Sequence, residues 1–448
     1  MPVRCGAVLA ARSQPPLTLS ISRLAASAWV AALGWVAIVV AGHLVGQALV
    51  DRDPLVHVGA PPLVGSFDLR IGPGLLPALA LAAAALAWAP TAAGSLRWGR
   101  LLAAAWAGAA GWAVALGASG GLGALAAPLR TRYEYLAAVP LIGDLSRFID
   151  AADFVSVLPS LPTHVKAHPP GLVTILTALD RIGLGGAEAA AALVIAAGAL
   201  AAPAALVALR STAGDGAARR AAPYLVFTPA AVWVATSADA LFAGVAATGI
   251  ACFALASEHG RRRSRMLLGL LAGVVLGAAL MLSYSVAPLG LLVLAIAVVK
   301  RAWLALGIAA AGCLAVLGAF AGLGFFWLDG LRATEVQYSM GISARRPYAD
   351  FIAINLAAFA LAVGPAAGAG LGRLRERGAW LLAAPAIVAL AACMLSGLSK
   401  GEVERIWLPY VPWILVATAG LGLRAGRGWL AAQLALALAL QAGVRSPW

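Results

Sequence analysis

The chain has 448 residues, of which 62% are hydrophobic and 11% charged, with a formal net charge of +14 and a mean hydropathy of +0.92. A composition this apolar excludes a soluble globular protein. A membrane hydrocarbon core about 30 Å thick needs about 20 apolar residues in each crossing helix, and the chain has many such runs. Their richness in Ala and Leu favours helices over the short alternating strands of a membrane β-barrel.

The N-terminal segment predicts how the chain enters the membrane. Residues 1–23 carry three arginines and precede an apolar run over 24–50. This run is longer than the apolar core of a cleaved signal peptide, so we predict a cytoplasmic N-terminus followed by a retained signal anchor. Residues 24–448 are predicted to form a single polytopic, all-α membrane domain of about 12–13 spans. The predicted spans are 24–50, 72–92, 101–125, 186–209, 222–237, 240–256, 266–283, 286–299, 302–326, 351–371, 379–397, 406–422 and 428–444.

Charged loop residues divide into two sets when the predicted spans alternate across the membrane. One set, which includes the N-terminus, holds 19 of the 32 basic residues and three of the 18 acidic residues. The positive-inside rule assigns this set to the cytoplasm, as in a multi-pass plasma-membrane protein. The other loops, including 126–170 and 327–350, are then external. The net positive charge is therefore a topology signal, so membrane lipids rather than nucleic acid are the expected partners.

The longest polar interval covers residues 128–170. Within it, LSRFIDAADFVSVL, residues 145–158, is predicted to form an amphipathic helix on the membrane surface. Its apolar side chains, predicted to face lipid, are Leu145, Phe148, Ile149 and Phe154. Residues 171–183 would make only about 20 Å of helix, so they are predicted to be re-entrant or interfacial rather than spanning.

The stretch PTHVKAHPPG, residues 162–171, places two histidines and a lysine at the end of this interval. His164 and His168 have the i, i+4 spacing of a helical metal pair, but Pro169 favours extended backbone at His168. A better interpretation is a rigid HPPG entry into a helix whose N-terminus holds an anion such as a phosphate. Lys166 and His168 could add charge or hydrogen bonds there, or could simply snorkel at the membrane interface.

Two other segments place polar residues beside predicted spans. Asp239 lies between two spans, where a charge is costly and usually functional. The alternative is that Asp239 or Ser237 caps the next helix. The segment LSKGEVERIWLPYVPWIL, 398–415, is either a charged functional loop or an aromatic anchor at the membrane interface. Its charged residues are Lys400, Glu402, Glu404 and Arg405.

Two shorter motifs suggest phosphate or metal chemistry. Arg345 and Arg346 in ISARRPYADF could clamp a phosphate in the bidentate manner of arginine, or could form an ordinary surface pair. Asp51 and Asp53 in DRDP have the acid-X-acid spacing of a metal motif. No cofactor is certain from the sequence, but these two acids are candidate ligands of Mg²⁺ or Mn²⁺. The four cysteines are scattered without metal or disulfide spacing.

These motifs together resemble the GT-C membrane glycosyltransferases, which include the protein O-mannosyltransferases and the lipid A aminoarabinose transferases. The resemblance begins with an acid early in an external loop, Glu134 in RYEYL, followed later in that loop by His-Pro-Pro opening an apolar helix. It continues in FTPAAVWVATSADALF, 227–242, and in the charged loop at 398–415. Gly171 stands where the family has Leu, and Glu134 follows the third predicted span rather than the first.

The resemblance implies inverting transfer of a sugar from a polyprenyl-phosphate donor to an external cell-envelope glycan, lipid or protein acceptor. The catalytic base would be Glu134, or else Asp150 or Asp153. The substrate-binding candidates are Lys166, His168, Asp239, Arg345, Arg346, Lys400, Glu402 and Arg405. A secondary transporter or flippase-type protein is the alternative, which predicts charges buried within spans and paired broken helices. A non-catalytic scaffold is a third possibility.

Overall fold

The computed structural model describes residues 17–150, 160–258, 260–423 and 426–448, without the side chains of 17–26 and 146–147. In the first half of the chain the α-helices are α1 (Leu17–Arg52), α2 (Leu76–Ser95), α3 (Trp98–Gly117), α4 (Leu145–Ile149), α5 (Thr163–Lys166), α6 (Gly171–Arg181), α7 (Ala187–Gly198), α8 (Ala201–Ala213), α9 (Asp215–Val226) and α10 (Ala238–Ala256). In the second half they are α11 (Arg262–Leu282), α12 (Gly290–Lys300), α13 (Trp303–Gly322), α14 (Trp327–Met340), α15 (Tyr348–Val363), α16 (Pro365–Arg373), α17 (Arg377–Leu395), α18 (Val403–Ile406), α19 (Val411–Leu415) and α20 (Arg427–Gly443). Strands β1 (Ser66–Phe67) and β2 (Val444–Arg445) pair antiparallel.

Eight helical segments of the described chain are long and apolar enough to cross a membrane. The pair formed by α15 and α16, bent by 88°, is a ninth candidate. These nine match nine of the predicted spans and confirm an all-α, polytopic membrane protein. The eight segments are Ser27–Arg52, Pro73–Ser95, Trp98–Gly120, Ala187–Ala213, Ala238–Ala256, Arg262–Leu282, Trp303–Gly322 and Arg377–Leu395.

The other four predicted segments do not form helices of spanning length. Segment 286–299 belongs to a shorter apolar helix, Tyr284–Lys300, and 428–444 becomes the 17-residue α20. Segments 222–237 and 406–422 are broken into short helices. Pro229, Pro409 and Pro412 explain the breaks, because proline lacks an amide donor and here stands in the first turn of a new short helix. Pro229 opens the turn Pro229–Trp233 in this way, capped by Thr228.

Small residues let the long helices approach one another closely. A Cβ atom at Gly273 of α11 would lie 2.0 Å from the carbonyl oxygen of Ala309 in α13. A Cβ atom at Gly42 of α1 would lie 2.6 Å from the carbonyl oxygen of Ala353 in α15. Close backbone packing of this kind is how membrane helices associate where apolar burial alone gives no advantage over lipid.

The bend between α15 and α16 is held by a glutamine from the end of the chain. Gly364 has a φ of +76°, and the amide of Gln433 in α20 fills the space beside it. Gln433 Nε2 donates to the Val363 carbonyl at 2.7 Å, and its Oε1 accepts from the Ala366 amide at 3.2 Å. The backbone groups released by the break are therefore satisfied inside the protein, as an apolar environment demands.

The loop 126–170, predicted to be external, folds back onto the protein in its described part. Helix α4 confirms the first third of the predicted amphipathic helix, but Phe148 and Ile149 are buried in the protein core rather than turned toward lipid. The lipid-facing assignment of these two residues was wrong, because the loop packs on the bundle and offers a closer apolar partner. Phe154, the remaining residue of that helix, lies outside the described residues.

Candidate active site

Arg405 is a buried arginine at the centre of a network of charged side chains. It is 6% exposed and lies in the short helix α18. The two residues directly before this helix, Gly401 and Glu402, have φ angles of +87° and +63°. Glycine adopts this backbone freely, whereas for a glutamate it is strained, as is common at functional sites. The tight turn brings both charged side chains into one space, where Arg405 Nη2 donates to Glu402 Oε2 at 2.5 Å.

The second carboxylate partner of Arg405 comes from α10. Arg405 Nη1 donates to Asp239 Oδ2 at 2.7 Å, and Asp239 is 0% exposed. Ser237 caps α10, and its hydroxyl donates to Asp239 Oδ2 at 3.0 Å. Of the two predicted capping candidates Ser237 is therefore the cap, whereas the carboxylate of Asp239 neutralises Arg405. Burial alone would lower the pKa of Arg405, but Asp239 and Glu402 outweigh this effect and raise it above its ordinary value. The guanidinium is therefore permanently charged.

His164 connects Arg405 to Glu134. Glu134 Oε1 lies 2.7 Å from His164 Nδ1, and His164 Nε2 lies 3.1 Å from Arg405 Nη2. Glu134 is 5% exposed, and among the described residues its Oε2 has no hydrogen-bond partner. The network thus joins three parts of the chain: the loop 126–170, the start of α10, and α18 with the turn before it.

Arg405 and His164 open onto a pocket of about 160 Å³. The described residues that line it come mainly from α5, α14, the turn after α14 and the loop before α18. They are Thr163, His164, Lys166, Ala167, His168, Thr334, Gln337, Tyr338, Gly341, Ile342, Ser343, Arg346, Ser399, Lys400, Gly401, Glu402, Arg405 and Ile406. The charged side chains among them are mostly basic.

Glu402 is the acid of this described lining. Burial alone would raise its pKa, but Arg405 and Arg346 outweigh that effect and hold it below its ordinary value. Arg346 is itself anchored, because its Nε donates to the Val56 carbonyl at 3.0 Å and its Nη1 donates to the Lys400 carbonyl. The pocket consequently presents fixed positive charges around an ionised carboxylate.

Comparison with known proteins gives one structural likeness. No family model and no curated protein matches the chain. A search of solved structures finds the crystal structure of ArnT from Cupriavidus metallidurans in the apo state, with 18% identity and a TM-score of 0.40. The match covers 66% of this chain and 60% of that one, so the chain corresponds to less than two thirds of the length of ArnT.

Most of the predicted site residues meet at this place. Glu134, Asp239, Glu402 and Arg405 belong to the network. Lys166, His168, Arg346 and Lys400 line the pocket. The tertiary structure thus gathers into one site eight residues that the sequence distributes over four separate segments.

The remaining predicted residues lie elsewhere. Arg345 Nη1 and Asp53 Oδ2 are 3.8 Å apart, and the side chain of Arg345 is mostly exposed, so this arginine lies on the surface, whereas Arg346 is buried. Asp51 accepts from Gln47 at 2.8 Å on the surface. Asp150 packs beside the turn at Gly324, and Asp153 lies outside the described residues.

A metal site receives no support from the donor groups that the structure describes. Within the described ranges, no three His, Cys, Asp or Glu side chains gather where they could hold an ion. Asp53 is occupied in capping the turn after α1 through the Leu55 amide, at 3.0 Å. Both ring nitrogens of His164 are already used within the network.

His168 and Gly171 give the HPPG motif a structural explanation. The ring of His168 packs between Tyr135 and Phe242, and burial lowers its pKa to about 4, so it is neutral at physiological pH. It can offer a hydrogen bond but not a charge. A Cβ atom at Gly171 would lie 2.3 Å from the Met281 carbonyl oxygen, so the close packing of α6 on α11 requires glycine there.

Three residues that the sequence analysis did not propose as site residues lie in or beside the site. His164 appeared only as half of a metal pair. Glu404 is buried, accepts from the Val64 amide at 3.2 Å and has its pKa raised to about 7 by burial. The ring of Trp448 lies 4.3 Å from the guanidinium carbon of Arg405. The charge cluster at 400–405 could have indicated a role for Glu404 near the site, whereas no local pattern in the sequence indicated that Trp448 would contact Arg405.

Proposed function

We propose that this protein is a membrane glycosyltransferase of the GT-C type. In this proposal it transfers a sugar from a polyprenyl-phosphate donor to a cell-envelope glycan, lipid or protein acceptor, on the outer face of the plasma membrane and with inversion. The observation that carries the proposal is the pocket at Arg405, where four basic side chains line the described part of the cavity together with the carboxylate of Glu402. Such a site suits a reaction that releases an anion and develops positive charge on a sugar.

The basic residues of the pocket supply what a phosphate leaving group requires. Lys166 and Lys400 line it together with Arg405, and cations that hold a departing phosphate stabilise the charge that develops on it. The donor would reach the pocket from within the membrane.

Helix α14 supports an approach from the lipid. Thr334, Gln337 and Tyr338 face the pocket. On other sides of the same helix, Leu328 and Val336 are exposed. A helix with one polar and one exposed apolar side is suited to the membrane interface, where a polyprenyl chain can lie beside its own phosphate.

The carboxylates of the network suit the sugar side of the reaction. As the bond from the anomeric carbon to the phosphate oxygen breaks, positive charge develops on the sugar. Glu402 is ionised and lines the pocket, so it can stabilise that charge. The acceptor hydroxyl must lose its proton as its oxygen attacks from the opposite side, which requires a base in the same network.

Transfer from labelled polyprenyl-phosphate sugars by the purified protein tests this function. We expect wild-type protein to release the lipid phosphate and label an acceptor, and Glu402→Gln to be slower by about 10²–10³-fold. Glu188→Gln is the control, because its side chain is largely exposed and pairs with Arg130 away from the pocket. Folded wild-type protein that transfers no sugar from any donor in the panel would rule the proposal out.

A secondary transporter is the second candidate, and the bend between α15 and α16 is the observation that favours it. Broken helices often surround the substrate sites of transporters. The bend at Gly364 is, however, closed by Gln433 rather than by polar groups open to a cavity. Substrate-driven uptake into proteoliposomes by a protein that lacks transferase activity would favour transport.

A further inference from the structure

His164 separates Glu134 from the pocket. His164 is a lining residue, whereas Glu134 is not among the described residues of the lining. Glu134 Oε1 lies 2.7 Å from the far nitrogen of the imidazole, Nδ1. A hydroxyl group bound in the pocket therefore meets the ring of His164 before it can reach the carboxylate.

The hydrogen bonds of His164 determine which nitrogen is basic. A guanidinium group can only donate hydrogen bonds, so the contact from Arg405 Nη2 at 3.1 Å makes His164 Nε2 the acceptor. A neutral imidazole then carries its proton on Nδ1 and donates it to Glu134. The Nε2 lone pair lies on the side of the ring that faces Arg405.

We propose that His164 is the catalytic base of the transferase and that Glu134 is its positioning residue. This inference rests on the proposed function and deepens it. The acceptor O–H bond breaks and its proton moves to His164 Nε2, while the acceptor oxygen forms a bond to the anomeric carbon. The bond from that carbon to the phosphate oxygen breaks, and its electron pair leaves with the phosphate. Glu134 stabilises the imidazolium that forms.

Arg405 gives this base a switch. In the structure Arg405 Nη2 donates a hydrogen bond to His164 Nε2, so the lone pair of that nitrogen cannot accept a proton from an acceptor hydroxyl. A donor phosphate in the pocket competes with His164 for hydrogen bonds from the Arg405 guanidinium. When the guanidinium turns away from His164, it keeps its contacts with Asp239 and Glu402. The base is thereby exposed when the donor is present, which disfavours deprotonation of an acceptor before a sugar can be transferred.

Two substitutions at position 164 separate a catalytic from a structural role. His164→Asn keeps an amide donor near the position of Nδ1 and so preserves the contact with Glu134, whereas His164→Gln places its amide near the position of Nε2 and preserves the contact with Arg405. We expect both to lower kcat by about 10²–10⁴-fold with donor KM little changed. His43→Gln is the matched control, because His43 Nδ1 makes a bond of the same 2.7 Å length to the Pro61 carbonyl outside the pocket.

The double variant Glu134→Gln with His164→Gln completes the test. If Glu134 acts through His164, the double variant is no slower than His164→Gln alone. Once the histidine is gone, removing the group that positions it causes no further loss of rate. Near wild-type turnover in either folded His164 variant, with Glu134→Gln inactive, would overturn the inference and make Glu134 the base. That result would leave the proposed function intact. The proposed function fails only if the wild-type protein transfers no sugar from any donor.

Discussion

Asp239 and Arg405 are 166 residues apart in the chain, and their side chains meet at 2.7 Å in the protein interior. Both side chains are too deeply buried for water to replace either one as the partner of the other. The pair therefore joins the start of α10 to α18 beside the candidate site. The predictions below begin with this pair.

Asp239→Asn should destabilise the protein by about 3–5 kcal/mol, because it leaves Arg405 buried with less compensating charge. Thermal or denaturant unfolding in a defined detergent measures the loss. Replacing all three charged partners, as in Asp239→Leu with Glu402→Gln and Arg405→Met, should recover much of the stability while transfer remains absent. A single variant as stable as the wild type would show that Glu402 alone compensates the arginine.

The two lysines of the pocket should contribute to donor binding. We expect Lys166→Met and Lys400→Met each to raise the donor KM by about tenfold or more, with a smaller effect on kcat, because a charged hydrogen bond to phosphate is worth about 1.5–3 kcal/mol. Lys300→Met is the matched control, since Lys300 is the chain's third lysine and binds the Ser211 carbonyl at 2.9 Å outside the pocket. Equal KM values for all three variants would contradict a phosphate site here.

Glu404 should make stability depend on pH. Burial raises its pKa to about 7 in the folded state, above the ordinary range of glutamate. Its stabilising contribution is therefore complete at low pH and is lost as the pH rises through about 7. Glu404→Gln should match the wild type near pH 5 and exceed its stability near pH 8 by on the order of 3 kcal/mol. Melting temperatures at the two pH values provide the measurement, and an identical difference at both would refute the prediction.

The bend at Gly364 should tolerate no side chain. Its φ of +76° is strained for any other residue, and a Cβ atom would lie 2.3 Å from Gln433 Oε1. Gly364→Ala should cost about 1–3 kcal/mol of unfolding free energy. Gly318→Ala in α13 is the control, because a Cβ atom there meets no other described atom within 4 Å, and helical Ala is the better residue by about 0.5–1 kcal/mol. Equal stability of the two variants would mean that the bend relaxes freely.

Several residues of the site were predictable because their segments break local rules. A charge beside an apolar run is costly, and this marked Asp239 and Arg405. Asp51, Asp53 and Arg345 were selected instead by acid-X-acid and paired-arginine patterns, which also occur on ordinary surfaces. The structure places these three away from the pocket.

Other features depend on contacts that no local pattern encodes. Glu134 was predicted as the catalytic base, and no local pattern indicated that His164, which lines the pocket, would contact its carboxylate at 2.7 Å. Apolar runs predicted the long helices well and failed at 222–237 and 406–422. A hydropathy window does not register the missing amide donors of proline, which divide those runs into short helices.

The sequence by itself determined that this is a helical membrane protein, because crossing a hydrocarbon layer demands long apolar runs that can be counted along the chain. It also marked the loops that hold most of the titratable side chains. Only the tertiary structure decided that Arg405 meets Asp239, 166 residues away, and His164, 241 residues away. These meetings depend on how the helices pack, and packing is set by contacts between distant segments rather than by the residues of any one of them.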